Sequence, residues 1–316
     1  MTQSPPPGAP TARVQVPRQP PPRYPRIRAG LWKRSLWGGL LLWTLTAIVT
    51  YATKNTTLLP TVILLGSFLT PVTFVLWAYE QHGRDLGVNV ILGCFLTGGT
   101  LGVLGASMME YYLLHPSLWM FAGVGLIEEA AKLAALMFVL RRHPRLRGLR
   151  TGLVLGATVG FGFAALESSG YAFNAAVSME GIDLHALLET EILRGILAPF
   201  GHGLWTAIAG AALLSLRRRN GRFPCTAPVI ATYLGVSLLH ALWNSAHGIA
   251  IWVSALMTGA QLDHSFFTQG QIPAPTPEQR QFFVFFSTGE LIAVCLLGLL
   301  WVRSLTRRVP SWTDTP

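Results

Sequence analysis

The sequence predicts an all-α, polytopic integral membrane bundle of about eight transmembrane helices with both termini in the cytoplasm. Three observations predict it. Hydrophobic residues make up 51% of the 316 positions and charged residues only 12%, with a mean hydropathy of +0.45, too little charge to cover a soluble surface of this size. The apolar residues fall in runs long enough to cross a bilayer. The basic residues sit in clusters between alternate runs.

A span needs about 20 apolar residues. Eight runs qualify, at 36–53, 58–79, 87–108, 117–140, 151–176, 192–216, 226–257 and 281–303. The seventh is too long for one simple span and either tilts or breaks near Asn244–Gly248. Twenty Lys/Arg lie on one side of this arrangement, in the N-terminal tail, around Arg84, at Arg141–Arg150, at Arg217–Arg222 and in the C-terminal tail; Lys54 and Arg280 alone lie on the other. That asymmetry predicts a cytoplasmic N- and C-terminus and an even number of spans. The outer loop 177–191 is acidic, with Glu180, Asp183, Glu189 and Glu191.

Residues 1–30, rich in Pro and Arg and without an acid, predict a disordered cytoplasmic tail whose positive charge suits anionic lipid. Residues 31–308 form the transmembrane domain and 309–316 a second cytoplasmic tail. The net charge of +10 is distributed as in a polytopic membrane protein, so the lipid bilayer is the expected surroundings and nucleic acid is not an expected partner. Cys94, Cys225 and Cys295 are scattered and read as packing residues, not as a disulfide framework or a zinc finger.

Charged side chains in hydrocarbon cost several kcal/mol unless paired or functional, so they mark where chemistry is expected. The fourth span carries Glu128, Glu129 and Lys132. At about 100° per residue the lysine projects between the two carboxylates and can neutralise either. The fifth carries Phe163 and Glu167, with Tyr171 and Asn174 continuing the glutamate's face and Gly152, Gly156 and Gly160 forming a small-residue seam. The sixth carries Arg194, Pro199 and His202 between two glycines. The seventh carries His240, Trp243, Asn244 and His247, an Asn beside a His suiting an oxyanion donor or a ring-orienting partner. Counting 1.5 Å per residue, Glu128 and Glu129 lie roughly 17 Å, His202 roughly 15 Å and Glu167 roughly 14 Å below the outer ends of their helices. Carboxylates and imidazoles at one level suit water activation or metal binding. Glu290 of the eighth span either pairs with Arg194 or serves the same site.

In this order the motifs resemble the PrsW family of intramembrane proteases: Glu128-Glu129-x-x-Lys132, Phe163-x-x-x-Glu167, His202, and His240-x-x-Trp243-Asn244, one per successive span over residues 117–250. The related CAAX prenyl endopeptidases end the second motif in His, where this chain has Glu167. The resemblance implies a peptidase of the bacterial plasma membrane that cleaves a membrane-anchored protein substrate of anti-sigma-factor type. It also implies a divalent metal, zinc by expectation, with Glu167, His202 and His240 as its ligands. Glu128 is expected to deprotonate the water, Glu129 to pair with Lys132, and His240 and Asn244 to bind the oxyanion; the roles of Glu128 and Glu129 could be exchanged. No HExxH occurs, all four aspartates fall in loops or tails, and Ser107 lacks the glycine of a rhomboid-like motif. A proton- or ion-coupled transporter and a non-catalytic membrane scaffold are the competing readings, both compatible with buried Glu, His and Lys.

Overall fold

In the computed structural model the described residues are 30–83, 86–117, 119–178, 181–260 and 274–307. The expected tails, 1–30 but for Gly30 and 309–316, lie outside them. Where water is absent every backbone N–H and C=O must find its partner within the segment, so the apolar runs fold as helices. They are α1 (Leu31–Thr53), α2 (Leu59–Ala78), α3 (Val88–Thr97), α4 (Val103–Leu113), α5 (Met120–Leu140), α6 (Leu149–Ala176), α7 (Leu184–Leu197), α8 (His202–Ser215), α9 (Ala227–Met257) and α10 (Pro277–Thr306). A wide π-type turn, Gly98–Gly102, joins α3 to α4 in one span. A short antiparallel pair, Val177–Ser178 with Gly181–Ile182, is the one extended feature among the described residues.

Seven helical segments are long and apolar enough to cross a membrane: 31–53, 56–81, 88–113, 149–176, 184–215, 227–257 and 277–306. α5, of 21 residues, falls outside that set because Glu128, Glu129 and Lys132 interrupt its apolar run.

Three boundaries differ from the sequence reading. α9 is one uninterrupted helix of 31 residues. Its only proline is in its first turn, and Asn244–Gly248 introduces no break. The sixth span starts at Leu184, not 192, because Asp183 caps it, its carboxylate accepting the N–H groups of His185 and Ala186. Glu189 and Glu191 therefore belong to a helix and not to a loop. That span is interrupted where Pro199 and Gly201 stand: a 3₁₀ turn, Ala198–Phe200, separates α7 from α8. The third span runs one turn beyond its expected end, to Leu113.

α6 is the axis of the bundle. In its most apolar stretch 72% of residues are buried, against 11% in α1 and in α10, which form the rim. α6 packs most extensively on α8. Side chains at Gly152, Gly156 and Gly160 would run into the carbonyl oxygens of Gly210, Thr206 and His202, so the small-residue seam sets this approach. Gly125 of α5 meets the Ser237 carbonyl of α9 in the same way.

Two charged residues tie helix ends. Glu80 accepts the N–H groups of Gly30 (3.0 Å) and Trp32 (3.3 Å), placing negative charge on the start of α1. Arg217, after α8, donates to the carbonyls of Leu140 (2.9 Å), His143 (3.0 Å), Leu146 (2.8 Å) and Gly221 (3.1 Å). It locks the end of α5 to the end of α8, and desolvation lowers its pKa.

Candidate active site

The close approach of α5, α6, α8 and α9 brings the charged residues of four helices to one place. Lys132 is completely buried and its Nζ has three partners: Glu128 Oε2 at 3.0 Å, Glu129 Oε1 at 2.8 Å and His202 Nδ1 at 2.7 Å. It also stands 4.1 Å over the Phe163 ring. The lysine thus neutralises the pair as the helical spacing anticipates, and its three N–H donors are fully used.

Glu129 is held on both oxygens. Oε1 also meets His240 Nδ1 (3.1 Å), and Oε2 accepts from the Thr206 hydroxyl (3.4 Å). Glu128 is oriented differently: its Oε2 lies 3.7 Å from His202 Nδ1 and 3.7 Å from His240 Nε2. His240 Nε2 is buried and has no hydrogen-bond partner. Donor atoms of Glu128, His202 and His240 all lie within 4.8 Å of one another, a grouping able to hold a metal ion.

Glu167, expected with the two histidines, lies outside that group. Its Oε2 accepts from His202 Nε2 (3.0 Å), the ring nitrogen facing away from Lys132, and from Arg194 (2.5 Å). Arg194 also donates to Ser168 (2.8 Å) and stacks on Tyr171 (4.3 Å). The cation that a buried glutamate requires is therefore Arg194 of α7, and Glu167 fixes the His202 ring from behind. The break before α8 makes this geometry: it sets His202 as the first residue of α8, between Glu167 on one side and Lys132 on the other.

The remaining expected residues fall at the edge or outside. Trp243 is half-buried, with its ring 5.7 Å from Trp205, which in turn packs on His240 (4.7 Å) and His202 (5.7 Å). Asn244 is half-buried, one turn along α9 from His240, and its side chain has no hydrogen bond among the described residues. His247 is exposed beside Phe283 (5.0 Å) and does not join the cluster, and Asn174 is exposed. Glu290 is half-buried on α10; Arg194 is paired elsewhere, and Glu290 has no hydrogen bond or ion pair among the described residues.

Besides Glu80, two buried or partly buried acids were not anticipated as such. Glu191 is buried between α7 and α1, accepting the Trp43 indole N–H at 2.7 Å. Glu110, in the last turn of α4, has a shielded Oε1 with no hydrogen-bond partner and is within electrostatic reach of Glu128, Glu167, Lys132 and His240. Both stand just outside runs whose ends the sequence placed short.

Fold and site define a helical membrane protein with a buried glutamate–histidine–lysine centre. A sequence model of the PrsW family intramembrane metalloproteases matches residues 86–267, more than half of the chain and wider than the 117–250 of the motifs. The chain belongs to the PrsW family, a family of membrane peptidases. No curated protein and no solved structure matches it.

Proposed function

We propose that this protein is an intramembrane endopeptidase that hydrolyses peptide bonds of membrane-anchored proteins, of the anti-sigma-factor type that the family resemblance suggests. In this reading α5 crosses as an eighth span, made tolerable by the Lys132 pairing, and the basic loops hold both termini in the cytoplasm.

The observation that carries the proposal is the convergence of Glu128 Oε2, His202 and His240 on one point, with His240 Nε2 buried and unpartnered. One carboxylate and two imidazoles are a donor set of catalytic zinc sites, and an orphaned buried imidazole nitrogen is costly without a partner. These residues fit a metal, with Glu128, His202 and His240 as its holders. Bound there, it would supply a water of lowered pKa and polarise the scissile carbonyl.

The chain's own residues supply the rest. Glu128, expected from the motif to deprotonate the water, belongs in this reading to the metal-holding set, which leaves the proton to another carboxylate. Glu129 orients His240 from its Nδ1 side, and Glu167 orients His202 from its Nε2 side. Lys132 bonds two of the three donor atoms, so it and a metal are alternative counter-ions for Glu128 and His202, with Glu129 as the lysine's permanent partner. Asn244, whose amide N–H groups are uncommitted, is the oxyanion donor.

The test is N-terminal peptide profiling of membranes expressing the wild type or Glu128→Gln at matched levels. New N-termini from single-pass proteins, seen only with the wild type, are expected and would identify a substrate. Matching profiles from well-folded protein under several stress conditions would remove the peptidase reading.

A further inference from the structure

We infer that Glu110 of α4 is the proton acceptor for the attacking water, a catalytic residue that none of the sequence motifs contains. The inference rests on the peptidase reading above and extends it.

The placement comes from packing. Ala106 of α4, Ala131 of α5 and Phe163 of α6 form one buried cluster, adjoining Lys132 by sequence and by the ammonium–ring contact. Successive spans alternate in direction, so one turn outward from this cluster is i+4 on α4 and α6 and i−3 or i−4 on α5. Those steps arrive at Glu110, Glu167 and Glu128. The three acids are therefore level on three adjacent helices, and Glu110 stands on the α4 face that packs toward the site.

The role comes from what each carboxylate already does. Glu129 is fully buried, with Lys132, His240 and Thr206 on its oxygens. Glu167 is bound to Arg194 and lies across the His202 ring from the centre. Glu128 Oε2 belongs to the metal-holding group. Of these four acids, Glu110 is the one with a shielded oxygen that has no partner, and no cation is bonded to it among the described residues. An acceptor oxygen kept from solvent and left open at the level of the centre is what a general base requires.

In the step, a water O–H proton passes to the Glu110 carboxylate as the water oxygen bonds to the scissile carbonyl carbon. The proton then passes to the amide nitrogen as the C–N bond breaks, leaving a carboxylic acid and an amine. Glu110 ends as it began, and no further reactant is needed.

The full-length protein in detergent is titrated with Zn²⁺ by calorimetry, and its cleavage is quantified from isotope-labelled new N-termini in membranes. Glu110→Gln is expected to bind Zn²⁺ like the wild type while losing cleavage by about 10²–10⁴-fold; Glu128→Gln is expected to lose both. Glu110→Asp, which keeps the acid but withdraws it by one methylene, is expected to bind Zn²⁺ and lose about tenfold in rate, and it carries the test should the Gln variant misfold. Cleavage by Glu110→Gln or Glu110→Asp within about threefold of the wild type overturns the assignment. So does loss of Zn²⁺ binding by a folded Glu110→Gln, which would make the residue a ligand. Absence of cleavage by the wild type removes the peptidase reading itself, and this assignment with it.

Discussion

The glutamates buried at the centre of the bundle and one buried at its rim solve the problem differently. At the centre, Glu128 and Glu129 are met by an ammonium, two imidazoles and a hydroxyl, all on other turns or other helices. At the rim, Glu191 has one bonded partner, the neutral indole of Trp43. Its other oxygen is unpaired, and Ser67 lies close by without hydrogen-bond geometry. An acid inside a membrane span is therefore not evidence of chemistry by itself. What distinguishes the centre is excess: more donors, acceptors and charges than packing needs, arranged so that Glu128 and His240 keep capacity to bind something else. Glu191 has only enough to join α7 to α1.

The sharpest way to break this contrast is to neutralise each acid. Glu128→Gln removes a carboxylate from the metal-holding group and is expected to reduce cleavage by about 10²–10⁴-fold or more. Glu191→Gln keeps shape and hydrogen-bonding capacity and is expected to leave cleavage within about threefold. Quantified substrate N-termini from the two variants decide it; equal losses would mean that the rim acid also serves the reaction.

Lys132→Met tests how far the centre depends on its internal cation. Glu129 would be left buried with His240 and Thr206 alone, and removing one partner of a buried pair costs about 3–5 kcal/mol. Unfolding in mixed detergent should show a loss of that order. If Lys132 and a divalent ion are alternative counter-ions, Zn²⁺ should return part of the stability to the variant through linkage and stabilise the wild type less. An unchanged Zn²⁺ response would separate the two roles.

Much of this was legible in the sequence. The spans follow from apolar runs, and the position of Lys132 between two carboxylates follows from helical periodicity, because both are local. The common depth of His202, Glu167 and the glutamate pair follows from counting residues along helices. What was not legible depends on contacts between helices or on where a helix ends. Nothing local says that Arg194 of α7 reaches back to Glu167 of α6, or that Glu128 and not Glu167 faces both histidines. Glu110 was missed because its apolar run stops two residues earlier, at Met108, although extending the helix by one turn would have placed it four residues from Ala106. Glu191 was assigned to a loop because four acids between 177 and 191 resemble a solvated surface, whereas the Asp183 cap starts the helix eight residues sooner.

The seam beneath the centre offers a smaller effect. Gly156→Ala adds a methyl group against the Thr206 carbonyl, in backbone that cannot swing aside. Separating α6 from α8 is expected to cost about 1–3 kcal/mol and, by moving His202, to lower cleavage as well. Gly170→Ala, on the same helix with nothing within 4 Å of the new atom, is the matched control and should be neutral or slightly stabilising by helix propensity.

The smallest effect belongs to the rim. Trp43→Phe keeps most of the ring but removes the N–H that Glu191 accepts at 2.7 Å. Glu191 is then left buried against the Gly66 backbone without its donor. The loss of one such hydrogen bond, with its acceptor left unsatisfied, is worth about 1–3 kcal/mol, and in mixed detergent it should be seen as an earlier unfolding of α1 from the bundle. Cleavage should not change, because α1 contributes no side chain to the centre. Trp43→Phe combined with Glu191→Leu removes donor and acceptor together and should recover most of the stability, since an apolar pair of similar volume leaves nothing unsatisfied. The same exchange at the centre, Lys132→Met with Glu129→Leu, leaves Glu128 without its cation and His240 Nδ1 without its partner, so it should recover far less of the stability and abolish cleavage. That difference in outcome would separate an acid kept for packing from one kept for chemistry.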